Sequence, residues 1–250
     1  MLERESLGMD TEDSEIVFPA RHVISFMKRE LVPHHEARVF CLGMDPSGGG
    51  DSSMSCVTVS LMRNTITVVA MDEHPIKNSC DMETMLMTHI ETVRRKFPYV
   101  WIACFFESNL GQEASHAEAM LLRNQVPKVW CMRERERVGV LTTNSRKELY
   151  ADNLRHYLEQ ECIGFMPNML TGNKVKGESE RVRNILMEQL SNYRRITLEA
   201  APGRIAKRNY SGKLAGSRQD DLCLTLQLVS YWAVRLSSQS IPGLRAEMFV

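Results

Sequence analysis

The chain carries no net charge, because Lys plus Arg and Asp plus Glu both number 31 among its 250 residues. A bulk electrostatic argument for nucleic acid is thereby excluded, and any basic surface must be local. CxxC spacing is missing among the seven cysteines, Cys41, Cys56, Cys80, Cys104, Cys131, Cys162 and Cys223, several of which lie inside apolar runs. They read as buried free thiols in a reducing compartment, which argues against a zinc centre. There is no apolar run of membrane-spanning length and no secretory leader, so a soluble intracellular protein without a membrane partner is expected. Internal repeats and low-complexity tracts are absent too. A GxxxxGK[ST] phosphate loop is also lacking, since no Lys follows Gly48-Gly49-Gly50.

What the chain does have is a 43% hydrophobic composition, enough to fill one sizeable core. Its organisation reads as an acidic N-terminal arm and edge helix over 1–36, one large domain over 37–238 and a tail over 239–250. Residues 1–20 lack a sustained period, while Val23, Ile24, Met27 and Leu31 are spaced as a helix that Pro33 stops. From Val39 an apolar run leads into the glycine loop with Asp45 at its end, the pattern of a buried strand leaving a sheet. Residues 54–71 give two β-branched runs broken at Arg63-Asn64, an antiparallel hairpin. A helix over 80–97, a central apolar strand over 100–106 ending at Glu107, a helix over 112–124 capped by Ser108 or Asn109, and a short strand over 126–132 follow. Ser145 and Glu148 have capping-box spacing and predict a helix to about Gln160 with Leu149, Leu154, Tyr157 and Leu158 inward. A helix over 178–193, a strand over 194–200, a turn at Pro202-Gly203 and a basic loop over 205–216 come next. Residues 220–236 form a last helix, apolar nearly all round, with two acids at its head.

Three acidic positions share one kind of address. Asp45 ends the first strand, Glu107 ends the fourth, and Asp220-Asp221 open the buried final helix. If these elements are neighbours, the carboxylates converge, and like charges that close repel one another unless cations occupy the cluster. Oxygen donors without His or Cys select Mg²⁺ or Mn²⁺ over zinc. Two such ions about 4 Å apart activate water and stabilise the leaving oxygen in phosphodiester cleavage. As local features, Asp before glycine is ordinary turn chemistry and Asp in a first helical turn is ordinary dipole chemistry. Only the order of elements raises the joint reading above them.

In that order the chain resembles the RNase H-like nuclease domain of the viral terminase large subunit, the DNA-packaging motor of tailed phages and herpesviruses. The matching pieces are CLGMDPS with Asp45, FFESN with Glu107, TTNSRKE at Thr142 to Glu148, and SGKLAGSRQDDLCLTLQLVSYW with Asp220-Asp221, the last two leaning toward herpesviruses. The resemblance implies an α/β fold with a mixed central sheet, three antiparallel strands followed by parallel ones, flanked by helices. It implies two-metal cleavage of concatemeric double-stranded viral DNA, with Asp45 bridging both ions, Glu107 binding one, and Asp221, helped by Asp220, binding the other. Terminase subunits and the capsid portal are the implied partners, and the host nucleus (herpesvirus type) or host cytoplasm (phage) the implied location. The motor half of such proteins is not in these residues.

For DNA contact the candidates are Lys207, Arg208, Lys213 and Arg218 before the Asp pair, then Lys174, Lys176, Arg181 and Arg183. Phosphate contact by such residues carries no base specificity. Arg133, Arg135 and Arg137, balanced by Glu134 and Glu136, read as surface pairs, and the histidines as surface or structural. A resolvase or transposase core of the same fold, a non-catalytic packaging scaffold, and an actin-like nucleotide-binding domain are the competing readings. The last requires a second phosphate loop with an Asp-Gly signature, which the later half lacks.

Overall fold

The computed structural model describes residues 14–46, 53–75, 79–109, 112–198, 207–211 and 220–238. The central strands are β2 (Val39–Asp45), β3 (Ser53–Met62), β4 (Thr65–Pro75), β5 (Trp101–Phe106), β6 (Val129–Cys131) and β9 (Ile163–Leu170), in the order β6-β5-β2-β3-β4-β9. Pairs β2/β3 and β3/β4 are antiparallel, whereas β2/β5, β5/β6 and β4/β9 are parallel. The expected run of three antiparallel strands followed by parallel ones is therefore present. Arg63 and Asn64, at φ 47° and 67°, make the two-residue turn of the β3–β4 hairpin.

Helices cover both faces. On one side lie α2 (Ser79–Lys96) and α3 (Glu113–Arg123). On the other lie α1 (Ala20–Lys28), α4 (Asn144–Glu159), α5 (Glu178–Asn192) and α6 (Asp221–Ser237). Two apolar clusters follow from strand alternation. Cys41, Val57, Val59 and Phe105 face α6, and Leu42, Met44, Cys56 and Cys104 face α2 and α3. Gly43 is the point of closest approach between β2 and α6: a Cβ there would lie 2.7 Å from Val229 Cβ. The described residues also form two small sheets, β1 (Ser14–Ile16) with β10 (Arg194–Leu198) and β11 (Lys207–Ser211), and the hairpin β7 (Arg133–Glu134) with β8 (Arg137–Val138).

Several expectations need correction. Residues 163–170 form strand β9, which Gly164 and Pro167 conceal in the sequence, and β1 and β11 lie where an unstructured arm and a loop were expected. Helix α4 starts earlier than the Ser145–Glu148 pair suggests: Thr143 is its N-cap, accepting from the Arg146 N–H at 3.3 Å. Leu154, Tyr157 and Leu158 are buried as expected, but Leu149 is exposed and Tyr150 and Ala151 complete the inner face in its place. Neither Ser108 nor Asn109 caps α3, whose N-cap is Gln112, although Ala114, Ala117, Met120 and Leu121 are buried as expected. Gly48 to Gly50, the Pro202-Gly203 turn, Lys213, Arg218 and residues 239–250 lie outside the described residues.

Candidate active site at the ends of the central strands

The site is built by register. Met44 pairs with Phe106 in the parallel β2–β5 ladder, and the Glu107 N–H donates to the Met44 carbonyl at 2.8 Å, so Asp45 and Glu107 leave neighbouring strand tips together. Asp45 pairs with Ser55 across the antiparallel β2–β3 ladder. Ser55 in turn donates from Oγ to the Asp221 carbonyl at 3.0 Å and shares a 2.6 Å hydrogen bond with Thr225 Oγ1. The Ser53 N–H donates to Asp221 Oδ2 at 3.0 Å. Strands in a sheet stand about 4.8 Å apart, so Glu107, Asp45 and Ser55 form a row with the head of α6 resting on it. Asp45, Asp220 and Asp221 are buried, and Glu107 is half-buried.

The two acids at the head of α6 diverge. Asp221 turns to β3 and the sheet, whereas Asp220 Oδ2 accepts from Ser211 Oγ of β11 at 3.2 Å. As N-cap, Asp220 would ordinarily take an N–H of the first turn, yet its side chain makes no capping bond. Gln189 of α5, itself buried, does so instead, accepting from the Cys223 N–H at 2.9 Å. Capping from a neighbouring helix holds α6 in place and leaves the Asp220 carboxylate directed at β11.

Asn109 orients Glu107. Its Nδ2 donates to Glu107 Oε1 at 2.8 Å and to the Thr142 carbonyl at 3.0 Å, while its Oδ1 accepts from the Thr142 N–H at 2.7 Å. Ser53, Ser55, Asn109, Thr142 and Gln189 are thus positioning residues that sequence reasoning missed. Only Asn109 carries a signal in the sequence, its place two residues after Glu107, where it reads as a helix cap.

A further carboxylate joins the row. Glu73 pairs with Ser55 on the far side of β3, and Arg181 Nη1 donates to its Oε2 at 3.1 Å. The Arg181 guanidinium also donates to Glu178 from Nε at 3.0 Å and Nη2 at 2.7 Å. These hydrogen bonds, then the opposite charge, hold the Glu178 carboxyl below its ordinary range against a desolvation cost. Arg181 is therefore a clamp between buried acids. Arg183 donates to the Met27 carbonyl and packs over the Phe165 ring at 4.4 Å, and Arg208 Nη1 pairs with Glu148 at 2.8 Å. Lys174 and Lys176 are exposed after β9, and Lys207 starts β11. Arg133 pairs with Glu118 and not with its own neighbours.

The donor set consists of carboxylate oxygens, which suits a hard divalent cation. Among the described residues, however, no three His, Cys, Asp or Glu side chains are already drawn together as a ligand set. The backbone gathers the three carriers, while Ser53 and Asn109 set how Asp221 and Glu107 point. The Asp45 carboxylate makes itself felt on the other face as well. Burial first, then the fields of Asp72 and Asp45, push the Cys56 thiol well above its ordinary range.

No family model matches the chain, and no curated protein matches it in sequence. Solved structures do match. The human cytomegalovirus terminase nuclease domain, manganese-soaked and inhibitor-bound, aligns at a TM-score of 0.66 and 12% identity over 90% of this chain and 98% of that one. This is the terminase nuclease fold. The large terminase nuclease of thermophilic phage G20c with bound magnesium aligns at 0.50 and 13% identity, over 88% and 98% of the two chains. Against the large terminase of another thermophilic bacteriophage the TM-score is 0.52 at 14% identity, and the chain spans 47% of that protein's length. The sheet order and flanking helices are those of the RNase H-like architecture of this terminase nuclease fold. Among the described residues no helix is long and apolar enough to cross a membrane.

Proposed function

We propose that the chain is a metal-dependent endonuclease that cuts concatemeric double-stranded viral DNA during genome packaging, with little base preference. One observation carries the reading: the β2–β3 and β2–β5 ladders set Asp45 and Glu107 at one end of the sheet, and hydrogen bonds from Ser53 and Ser55 hold Asp221 of α6 against the same strands. The terminase nuclease fold, which in the first two neighbours named above accompanies manganese or magnesium, supports it.

Asp45, Glu107 and Asp221 would hold two Mg²⁺ or Mn²⁺ ions, with Asp220 as the second-choice ligand. When bound, such ions activate a water and stabilise the leaving oxygen of a phosphodiester. The protein's own part is to position. Ser53 fixes Asp221, Asn109 fixes Glu107 against the Thr142 backbone, and Gln189 seats α6. Lys174, Lys176, Lys207, Lys213 and Arg218 are the cations assigned to phosphate contact. Arg181, Arg183 and Arg208, which hold protein groups, shape the surface beside them. Terminase subunits and the capsid portal are the assigned partners, in the host nucleus for a herpesvirus-type protein and the host cytoplasm for a phage protein.

The test is conversion of supercoiled plasmid to nicked and linear forms with Mn²⁺, for the native chain and Asp45→Asn. The native chain cuts and the variant, folded by circular dichroism, does not. Equal cutting by both sinks the reading, and no cutting by the native chain in any divalent metal favours a packaging scaffold.

A further inference from the structure

We propose that Cys104 and Cys131 form a reversible oxidation site, a dithiol that a peroxide converts into a disulfide tying the edge strand β6 to β5. The inference is independent of the nuclease reading. Cys104 and Cys131 are direct partners in the parallel β5–β6 ladder, where the Ile102 N–H donates to the Lys128 carbonyl at 2.9 Å and the Met132 N–H to the Cys104 carbonyl at 2.9 Å. Directly paired residues of neighbouring strands share a face and stand about 4.8 Å apart, inside the roughly 4.4–6.8 Å separation of Cα atoms that a disulfide spans. Both thiols are free.

Access and strand position favour this pair over the other described cysteines. Cys104 is fully buried, whereas Cys131 is half-buried and lines an open groove of about 420 Å³ between β6 and α3, beside Leu121, Leu122, Val126 and Trp130. A peroxide reaches Cys131 from that groove. The three-residue β6 is at the sheet edge, so it can shift to meet disulfide geometry more easily than a central strand. Cys41, Cys56 and Cys223 are sealed in the core, and Cys162 donates to the Gln160 carbonyl at 3.3 Å from a turn of its own. Of the two thiols only Cys131 opens to the groove, while the neighbouring Cys131 thiol and then burial hold the Cys104 thiol well above its ordinary range, so first attack on the oxidant falls to Cys131 and Cys104 is the resolving thiol.

The chemistry balances. The Cys131 sulfur attacks one peroxide oxygen, the O–O bond breaks, and a sulfenic acid and one water result. Cys104 then attacks the Cys131 sulfur, the S–O bond breaks, and the departing hydroxide takes the Cys104 proton as a second water. Two thiols are oxidised by two electrons and the peroxide is reduced to two waters. A small dithiol reverses the bond by exchange.

The native chain is treated with hydrogen peroxide, its remaining thiols are blocked, and the digest is read by mass spectrometry alongside Cys131→Ser and Cys104→Ser. The native chain loses two hydrogens, yields a peptide pair linked through Cys104 and Cys131, and regains its mass with dithiothreitol. Cys104→Ser accumulates a sulfenic acid at Cys131 that dimedone captures, and Cys131→Ser forms no link at Cys104. Should the buried Cys104→Ser fail to fold, the native chain and Cys131→Ser decide the matter. An unmodified Cys131, its passage to sulfinic acid without a link, or a first link through another cysteine overturns the proposal.

Discussion

Replacing Gly43 by alanine tests how tightly the site depends on the seat of α6. The added Cβ would lie 2.7 Å from Val229 Cβ, 3.1 Å from the Thr225 carbonyl oxygen and 3.3 Å from Thr225 Cγ2. Two of those atoms belong to or are fixed upon the helix backbone, so no rotamer change relieves the contact. Ordinary carbon contacts lie at roughly 3.5–4.0 Å, and α6 therefore has to withdraw by about 1 Å. Overpacking of this kind costs about 1–3 kcal/mol. For a chain of this length each kcal/mol lowers Tm by roughly 2–4 °C, giving a fall between about 2 and 12 °C in a thermal melt. Because Asp221 rides on α6, and about 1 Å of misplacement at a reacting centre can cost about a hundredfold, Mn²⁺-dependent nicking should fall by that order while the chain stays folded. Gly177→Ala is the control. Gly177 has φ 86° and nothing within 4 Å of an added Cβ, so strain of about 1–2 kcal/mol should appear without loss of nicking. A Gly43→Ala chain that melts and cuts like the native one refutes the argument.

Asn109→Ala frees Glu107 from its anchor on the Thr142 backbone, and titration calorimetry with Mn²⁺ should show affinity weakened by about 10–100-fold with Tm nearly unchanged. Gln189→Leu leaves the buried Cys223 N–H unpaired and should cost about 1–3 kcal/mol in urea unfolding, while Gln189→Glu, which can still accept, should retain most of the native stability. Arg181→Met removes the clamp on Glu178. In the native chain the Glu178 carboxyl is held low, so the stability it contributes is complete above the ordinary glutamate range and is lost as pH falls through its depressed folded value. Urea midpoints followed from neutral pH into that acid window should drop for the native chain and drop less for Arg181→Met. Equal slopes would show that Arg181 does not set the acid limit. Asp220→Asn should reduce nicking less than Asp221→Asn, because Asp220 turns to Ser211 and Asp221 to β3.

The elements that can be read from the chain are those whose burial is one-sided and periodic. Strands β2 to β5 and helices α2, α3, α5 and α6 follow their apolar patterns, and Asp45, Glu107 and Asp221 stand at the element ends expected of them. Strand β9 escapes because an edge strand tolerates what a central one does not: Pro167 is admitted there, and Asn168 at φ 56° sits where the register with β4 shifts. Strands β1 and β11 are short and polar and take their identity from β10 between them. The start of α4 is obscured because two overlapping caps compete in Thr143-Asn144-Ser145. The inner face is nonetheless the one the apolar spacing marks at Leu154, Tyr157 and Leu158; one turn earlier that stripe, stepping back by three and four residues, falls on Tyr150 and Ala151, so Leu149 lies beside it and is exposed. Within the site, nearest neighbours in sequence mislead. Asp220 and Asp221 look equivalent as letters and face different strands, and Asn109 serves the strand-end acid before it, not the helix after it.

Asp45 and Asp221 stand near opposite ends of the described chain and meet only when α6 is laid on β3. On a ribosome this has a temporal meaning. Strands β2 to β5 can pair while α6 is still unmade, and throughout that interval Asp45 and Glu107 stand without Asp221. For the proposed nuclease, synthesis itself is then a safety interval, since cutting competence arrives with α6 and not with the strands it lies on.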